Sequence, residues 1–213
     1  MNQIEQVQIY LKERGLDGWL LYDFHGNNGL ARHFLQIPNH VMTTRRFFYW
    51  IPVVGAPIKI VHAVEAHVLD AVPGEKRSYS SWQSLELALA TLLRKAKKVA
   101  MEYSPRNAIP YVSCVDGGTI DLIRSMGAEV VSSADFLPYF TAVLTESQVA
   151  SQIRAAKALD LIVGTVWDWI RDQLVALRAI TEYDVQQKIV AQFKSFHLIA
   201  DHDPIVGVNA HSA

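Results

Sequence analysis

Residues 145–174 read TESQVASQIRAAKALDLIVGTVWDWIRDQL, and residues 178–213 read RAITEYDVQQKIVAQFKSFHLIADHDPIVGVNAHSA. In the first stretch apolar residues recur at Ile153, Ala156, Val163, Trp167, Ile170 and Leu174, a spacing that places them on one face of a long helix. The second stretch opens with Thr181 and Asp184 at capping-box spacing, Asp standing where Glu or Gln is usual. Glu182 adds negative charge where the helix dipole favours it. The core stripe of this second helix is expected at Val185, Ile189 and Phe193, with Phe196 alongside.

Toward the N-terminus the pattern changes to shorter, alternating elements. Ile4, Val7, Tyr10 and Leu11 share one face of a helix that Gly15 ends, and GWLLY at 18–22 reads as a buried strand. DFHGNN at 23–28 supplies turn formers, and Leu30, Phe34 and Leu35 mark a short amphipathic piece. The β-rich runs 46–54 and 58–61, parted by Gly55, Ala56 and Pro57, signal an antiparallel hairpin; Pro52 makes the first an edge strand or interrupts it. A helix is expected over 84–95, with Leu85, Leu87, Leu89 and Leu92 or Leu93 inward, and a strand at 98–103. A right-handed crossover follows if the strands on either side of it are parallel neighbours. A helix over 116–126 ended by Gly127, a strand at 129–131, and a short helix near 136–140 capped by Ser133 complete this part. Such alternation calls for a mixed, mostly parallel sheet between helices, with a domain boundary near 141–145.

Composition narrows the function classes. The chain has 213 residues, half of them hydrophobic, enough for a sizeable core. Its formal charge of -1, from 20 Lys+Arg against 21 Asp+Glu, provides no bulk attraction to nucleic acid or anionic membrane. Apolar runs such as 161–167 are too short to span a bilayer. The opening MNQIEQVQIYLKERG lacks the basic-then-apolar pattern of a secretory signal, and Cys114 is the single cysteine. A cytoplasmic protein without disulfides is expected, with Cys114 as a small buried residue.

No local constellation announces chemistry. Asp201, His202 and Asp203 alternate faces on a strand, so only two converge, and they read as solvated charges. His62, Glu65 and His67 fit neither a helical HExxH nor a zinc-finger spacing. Asp168 and Asp172 sit four apart on a helix, repel, and are expected to face water. There is no GxxxxGK[ST], neither Gly117 and Gly118 nor Gly26 and Gly29 form GxGxxG, and no GxSxG occurs. Trp50, Trp82, Trp167 and Trp169 lie in apolar patterns and suit core or interface packing.

The C-terminal third resembles the opening of the catalytic domain in the creatinase, prolidase and aminopeptidase P family, the pita-bread metallopeptidases. The resemblance rests on Glu146, Ile153, Arg154 and Ala156 in the first helix, Thr181 and Glu182 opening the second, and Pro204 to Val206 with Asn209 and Ala210. It implies an α/β creatinase-like N-terminal domain at 1–143, a mixed sheet flanked by helices, and the first helices of an incomplete α+β pita-bread domain at 144–213. It further implies a parent that cleaves the bond between an N-terminal residue and proline with two divalent metal ions (Mn, Co or Zn), a metal-bridging hydroxide attacking the carbonyl. The family's five ligands, two Asp, one His and two Glu, come later than this stretch. His211 stands too near Asn209 to take the role of the family's histidine. The chain alone is therefore expected to bind no metal pair and to be inactive. In aminopeptidase P-like enzymes the N-terminal domain can reach the active-site rim, which makes Arg32, His33, His40, Arg45 and Arg46 candidates by position. A creatinase-type amidinohydrolase and a non-catalytic binding module share the same opening. Helices lacking their sheet would expose apolar faces, so a homo-oligomer is expected.

Overall fold

The computed structural model describes residues 2–212, and the chain divides into two compact units, Met1–Val143 and Leu144–Ala213. In the first, helix α1 (Gln3–Glu13) opens on a capping box between Asn2 and Glu5, and a turn through Gly15, at φ +63°, leads into strand β1 (Gly18–Asp23). Helix α2 (Gly29–Phe34), strands β2 (Phe47–Pro52), β3 (Ile58–His62) and β4 (Glu75–Tyr79), and helix α3 (Trp82–Leu93) follow. Strand β5 (Lys98–Met101), helix α4 (Gly117–Ser125), strand β6 (Glu129–Ser132) and the short helix α5 (Pro138–Thr141) end the unit.

The six strands form one mixed sheet in the order β4-β3-β2-β1-β5-β6. β1 pairs antiparallel with β2 and β2 with β3, while β1–β5, β3–β4 and β5–β6 are parallel. Side chains of β1 alternate between two cores. Trp19 and Leu21 pack with Val7, Leu11, Phe34 and Phe136 on one face; Leu20 and Tyr22 pack with Leu85, Leu89, Ile120 and Ile123 on the other. Helices thus cover both faces, which is why GWLLY is apolar throughout rather than alternating.

Several expectations are corrected here. β2 is interior, paired on both sides, and Pro52 is its last residue, opposite Gly18; the pairing with β3 has ended at Trp50, so no β3 carbonyl is left waiting for the N–H that Pro52 lacks. β4 was not expected from EKRSY: only Tyr79 is buried, and an edge strand needs no apolar alternation, its charges guarding the open side. α3 begins at Trp82 behind a Ser81/Ser84 capping box, and Leu87 points to solvent. The strands flanking α3 are not neighbours, since β5 pairs with β1, so the condition for a simple crossover is not met. Ser133 does not cap the last helix, which starts at Pro138 without a side-chain cap; its hydroxyl turns inward to Glu102.

The second unit holds helix α6 (Glu146–Val175), opened by a Thr145/Gln148 capping box, and helix α7 (Glu182–Ser195), opened by the Thr181/Asp184 box. Its core is Ile162, Val166 and Val185, with Trp169, Ile170, Ile189, Phe193 and Val206 packed around it. The expected face of α6 is displaced. Ile153, Val163, Trp167 and Leu174 are more than half exposed, whereas the neighbouring stripe through Ile162 and Val166 meets α7. α6 carries two apolar stripes, and periodicity cannot choose between them until a packing partner does. Phe196 lies at the C-cap of α7 and is largely exposed. Among the described residues no helix is long and apolar enough to cross a membrane.

Candidate functional site

The polar side chains that the fold gathers lie at the end of β1 where it runs into α2. Asn28 is fully buried and caps α2, accepting the Ala31 N–H at 3.0 Å. Its Nδ2 donates to the Tyr22 carbonyl and to Glu102 Oε2, both at 2.8 Å. Glu102, just past β5, is likewise buried and accepts from Trp19 Nε1 at 2.7 Å and Ser133 Oγ at 3.2 Å. Burial pushes its carboxyl above the usual value, and the hydrogen bonds from Asn28, Trp19 and Ser133 only partly offset this. Next to it Asp23 accepts the Asn28 N–H at 2.9 Å, the Thr43 hydroxyl at 3.1 Å and Arg32 Nη1 at 3.3 Å. Arg32 also donates to the carbonyls of Val41 and Pro38, so the pair is buried with its hydrogen bonds met. This network is apparatus for holding the loop after β1, and every member is an internal partner of another.

Beyond it a cavity of about 730 Å³ opens at the C-terminal end of β1, lined by Tyr22, Phe24, Asn27, Arg46, Cys114 and Asp116 with the first turn of α4. Asp116 caps α4, accepting the Thr119 N–H and hydroxyl, both at 2.8 Å. Burial raises its carboxyl, but the two Thr119 bonds and the Tyr22 hydroxyl outweigh burial and leave it below its ordinary value. Burial pushes the Tyr22 phenol up to about 12, so it stays protonated and donates. Cys114 is half-buried on the cavity wall rather than fully buried, and burial followed by the Glu102 charge raises its thiol.

The five rim candidates separate. Arg32 faces inward to Asp23; His33 is exposed beside it on a groove with Gln36 and Asn39. His40 and Arg45 are exposed, and Arg46 alone lines the cavity. Glu65 fixes the segment before β2, accepting the Thr44 N–H and hydroxyl and the Arg45 N–H; these bonds outweigh burial and hold its carboxyl low. His62 accepts the Val64 N–H and its ring meets Tyr79 edge-on, so His62, Glu65 and His67 do not converge. Asp168 and Asp172 face water as expected, with Arg171 bridging them at 2.9 and 3.3 Å. Asp201, His202 and Asp203 lie exposed in a bend. Glu182 accepts the Val208 N–H at 2.7 Å and meets His211 Nδ1 at 3.0 Å, which ties the segment after residue 204 to α7. Trp50 is core, whereas Trp82 and Trp167 are largely exposed. Among the described residues no three His, Cys, Asp or Glu side chains are placed to hold a metal ion. The donor set for a dinuclear centre is not assembled among the described side chains.

Sequence reasoning missed Asn28 and Glu102. A carboxylate inside the apolar run KVAMEY was the available signal, since an unpaired buried charge needs partners.

No family model matches the chain, and no curated protein sequence matches it. Solved structures do. A prolidase from Thermococcus sibiricus aligns at 14% identity with a TM-score of 0.59, covering 97% of this chain and 53% of that one. A Xaa-Pro dipeptidase from Bacillus anthracis aligns at 14% and 0.56 over 90% of this chain and 48% of its own. A prolidase from Pyrococcus horikoshii OT3 aligns at 13% and 0.51 over 91% and 49%. The chain spans about half the length of these proteins. The mixed sheet flanked by helices is thus the fold of the corresponding half of prolidases, and the expected likeness is met at the level of fold.

Proposed function

We propose that the chain is the N-terminal portion of a prolidase-like metallopeptidase acting on Xaa-Pro bonds, with 1–143 as the creatinase-like domain and 144–213 as the start of the pita-bread domain. The observation that carries this is the likeness of fold to the Thermococcus sibiricus prolidase across 97% of the chain. The T-E start of α7 and the Pro204 to Val206 and Asn209-Ala210 residues, which resemble the family's opening, agree with it. The parent is a cytoplasmic dipeptidase or aminopeptidase using two divalent cations bound by residues outside this sequence, so the 213 residues alone bind no metal pair and cleave nothing. Arg45 and Arg46, with His33 and His40, are the side chains of the first unit offered to the substrate rim; Arg32 acts by holding Asp23. Exposed Val163, Trp167 and Leu174 on α6 favour self-association.

Reading the coding DNA beyond codon 213 tests the proposal. A frame that continues and supplies two Asp, one His and two Glu at ligand spacing is expected; a stop directly after Ala213, or a continuation lacking them, overturns the peptidase reading. Xaa-Pro turnover or stoichiometric metal binding by the purified chain refutes the predicted inactivity.

A further inference from the structure

We infer that the cavity at the end of β1 is a binding site for a small carboxylate with an aromatic or apolar body, with Arg46 as its counter-charge. The inference needs neither a metal nor the second unit; it shares Arg46 with the rim candidates of the peptidase reading but is tested without peptidase activity. Three observations carry it. First comes place: the chain leaves β1 through α2 over one face of the sheet and leaves parallel β5 toward α4 over the other. Crevices at the C-terminal ends of strands whose connections diverge in this way are where open α/β sheets bind ligands. Second comes size, since about 730 Å³ is in the range of small-molecule pockets.

The third is chemistry. Arg46 is half-buried and pairs with no carboxylate among the described residues, in contrast to Arg32, Arg77 and Arg171. The Tyr79 hydroxyl donates to the Arg46 carbonyl at 2.7 Å, which fixes the Arg46 backbone beside the cavity. The one carboxylate on the wall, Asp116, is engaged by Thr119 and Tyr22 and so is not the missing partner. A planar guanidinium matches a carboxylate through two parallel hydrogen bonds. Tyr22 and Phe24 give the wall an apolar, aromatic side for the rest of the ligand, and the Asn27 carboxamide at the mouth adds a donor.

Cys114, the only thiol in the chain and itself on the cavity wall, provides a local reporter. Its alkylation by iodoacetamide is followed at alkaline pH with phenylacetate, with the uncharged isostere phenylacetamide, or with inorganic phosphate. Phenylacetate is expected to slow alkylation saturably. Arg46→Gln should weaken that protection by about tenfold or more, the exposed change Phe24→Ala should weaken it less, and Arg171→Gln in the other unit should leave it unchanged. Circular dichroism confirms that each variant is folded. Equal protection by phenylacetamide or phosphate, indifference to both Arg46→Gln and Phe24→Ala, or no protection up to about 10 mM phenylacetate overturns the inference. None of these outcomes bears on whether the downstream sequence carries metal ligands.

Discussion

Replacing Asn28 by Ala removes three interactions from one buried point. The α2 N–H of Ala31 loses its cap, a loss of about 1 kcal/mol. The Tyr22 carbonyl loses a neutral donor, worth about 1 kcal/mol net. Glu102 Oε2 loses its donor at 2.8 Å and is left buried without one, which costs about 1–3 kcal/mol. Together the expected destabilisation is about 3–5 kcal/mol, near the top of the range for single substitutions. For a unit of this size that lowers the melting temperature by about 10–15 °C. Urea and thermal unfolding followed by near-UV circular dichroism would read it. Asn28→Asp sharpens the test: it keeps the acceptor for Ala31 but sets a second carboxyl against Glu102. Its deficit at neutral pH should shrink as the pH falls and one of the two carboxyls takes a proton. If Asn28→Ala melts within about 1 kcal/mol of the parent, the network is not what holds the loop after β1.

Burial raises the Glu102 carboxyl, so the folded state keeps its proton to higher pH than the unfolded chain; the stability from this group is full below the ordinary carboxyl value and is lost as pH rises through the raised one. Glu102→Gln should flatten that slope in urea titrations across the acid-to-neutral range, and an unchanged slope would show that another group sets it. Glu65 and Asp116 act with the opposite sign, their stability present above the ordinary value and lost as pH falls through the lowered one. Gly18→Ala should destabilise by about 1–3 kcal/mol, because a Cβ there overlaps the Trp50 ring and comes within 2.7 Å of the Ile51 carbonyl oxygen; a neutral thermal melt contradicts this. Trp167→Glu should shift sedimentation toward smaller species while leaving helix content intact, and identical sedimentation would remove the α6 stripe as the contact.

Much of the first unit was legible because its signals are local. The helix face through Val7 and Leu11, its end at Gly15, the apolar GWLLY and the loop at Gly55 each act over a few residues, and each stands where the spacing placed it. What failed to show were facts settled by distant partners. β4 is a strand because β3 offers it an edge, not because EKRSY alternates. Asn28 reads as one more turn former, yet its carboxamide is committed to a carboxyl 74 residues away. Ser133 likewise reads as a cap until Glu102 claims its hydroxyl. The buried face of α6 was misplaced by one stripe for the same reason, since α7 makes the choice. Arg46 was found by position, while the cavity around it draws on β1, the segment before β2 and the start of α4, whose meeting no periodicity reveals.

The sheet order also bears on the sequence of folding. The strands β1, β2 and β3 close through modest loops, the last a turn at Gly55, whereas β5 pairs with β1 across a separation of 81 residues, Gly18 opposite Val99, clasped where Asp17 accepts the Lys97 and Lys98 N–H groups. Closing that long loop costs about 2 kcal/mol more chain entropy than closing the turn between β2 and β3. The meander is therefore expected to form first and β5 with β6 to dock late, which makes Asp17→Asn a substitution that hastens unfolding while leaving the refolding rate nearly as it was.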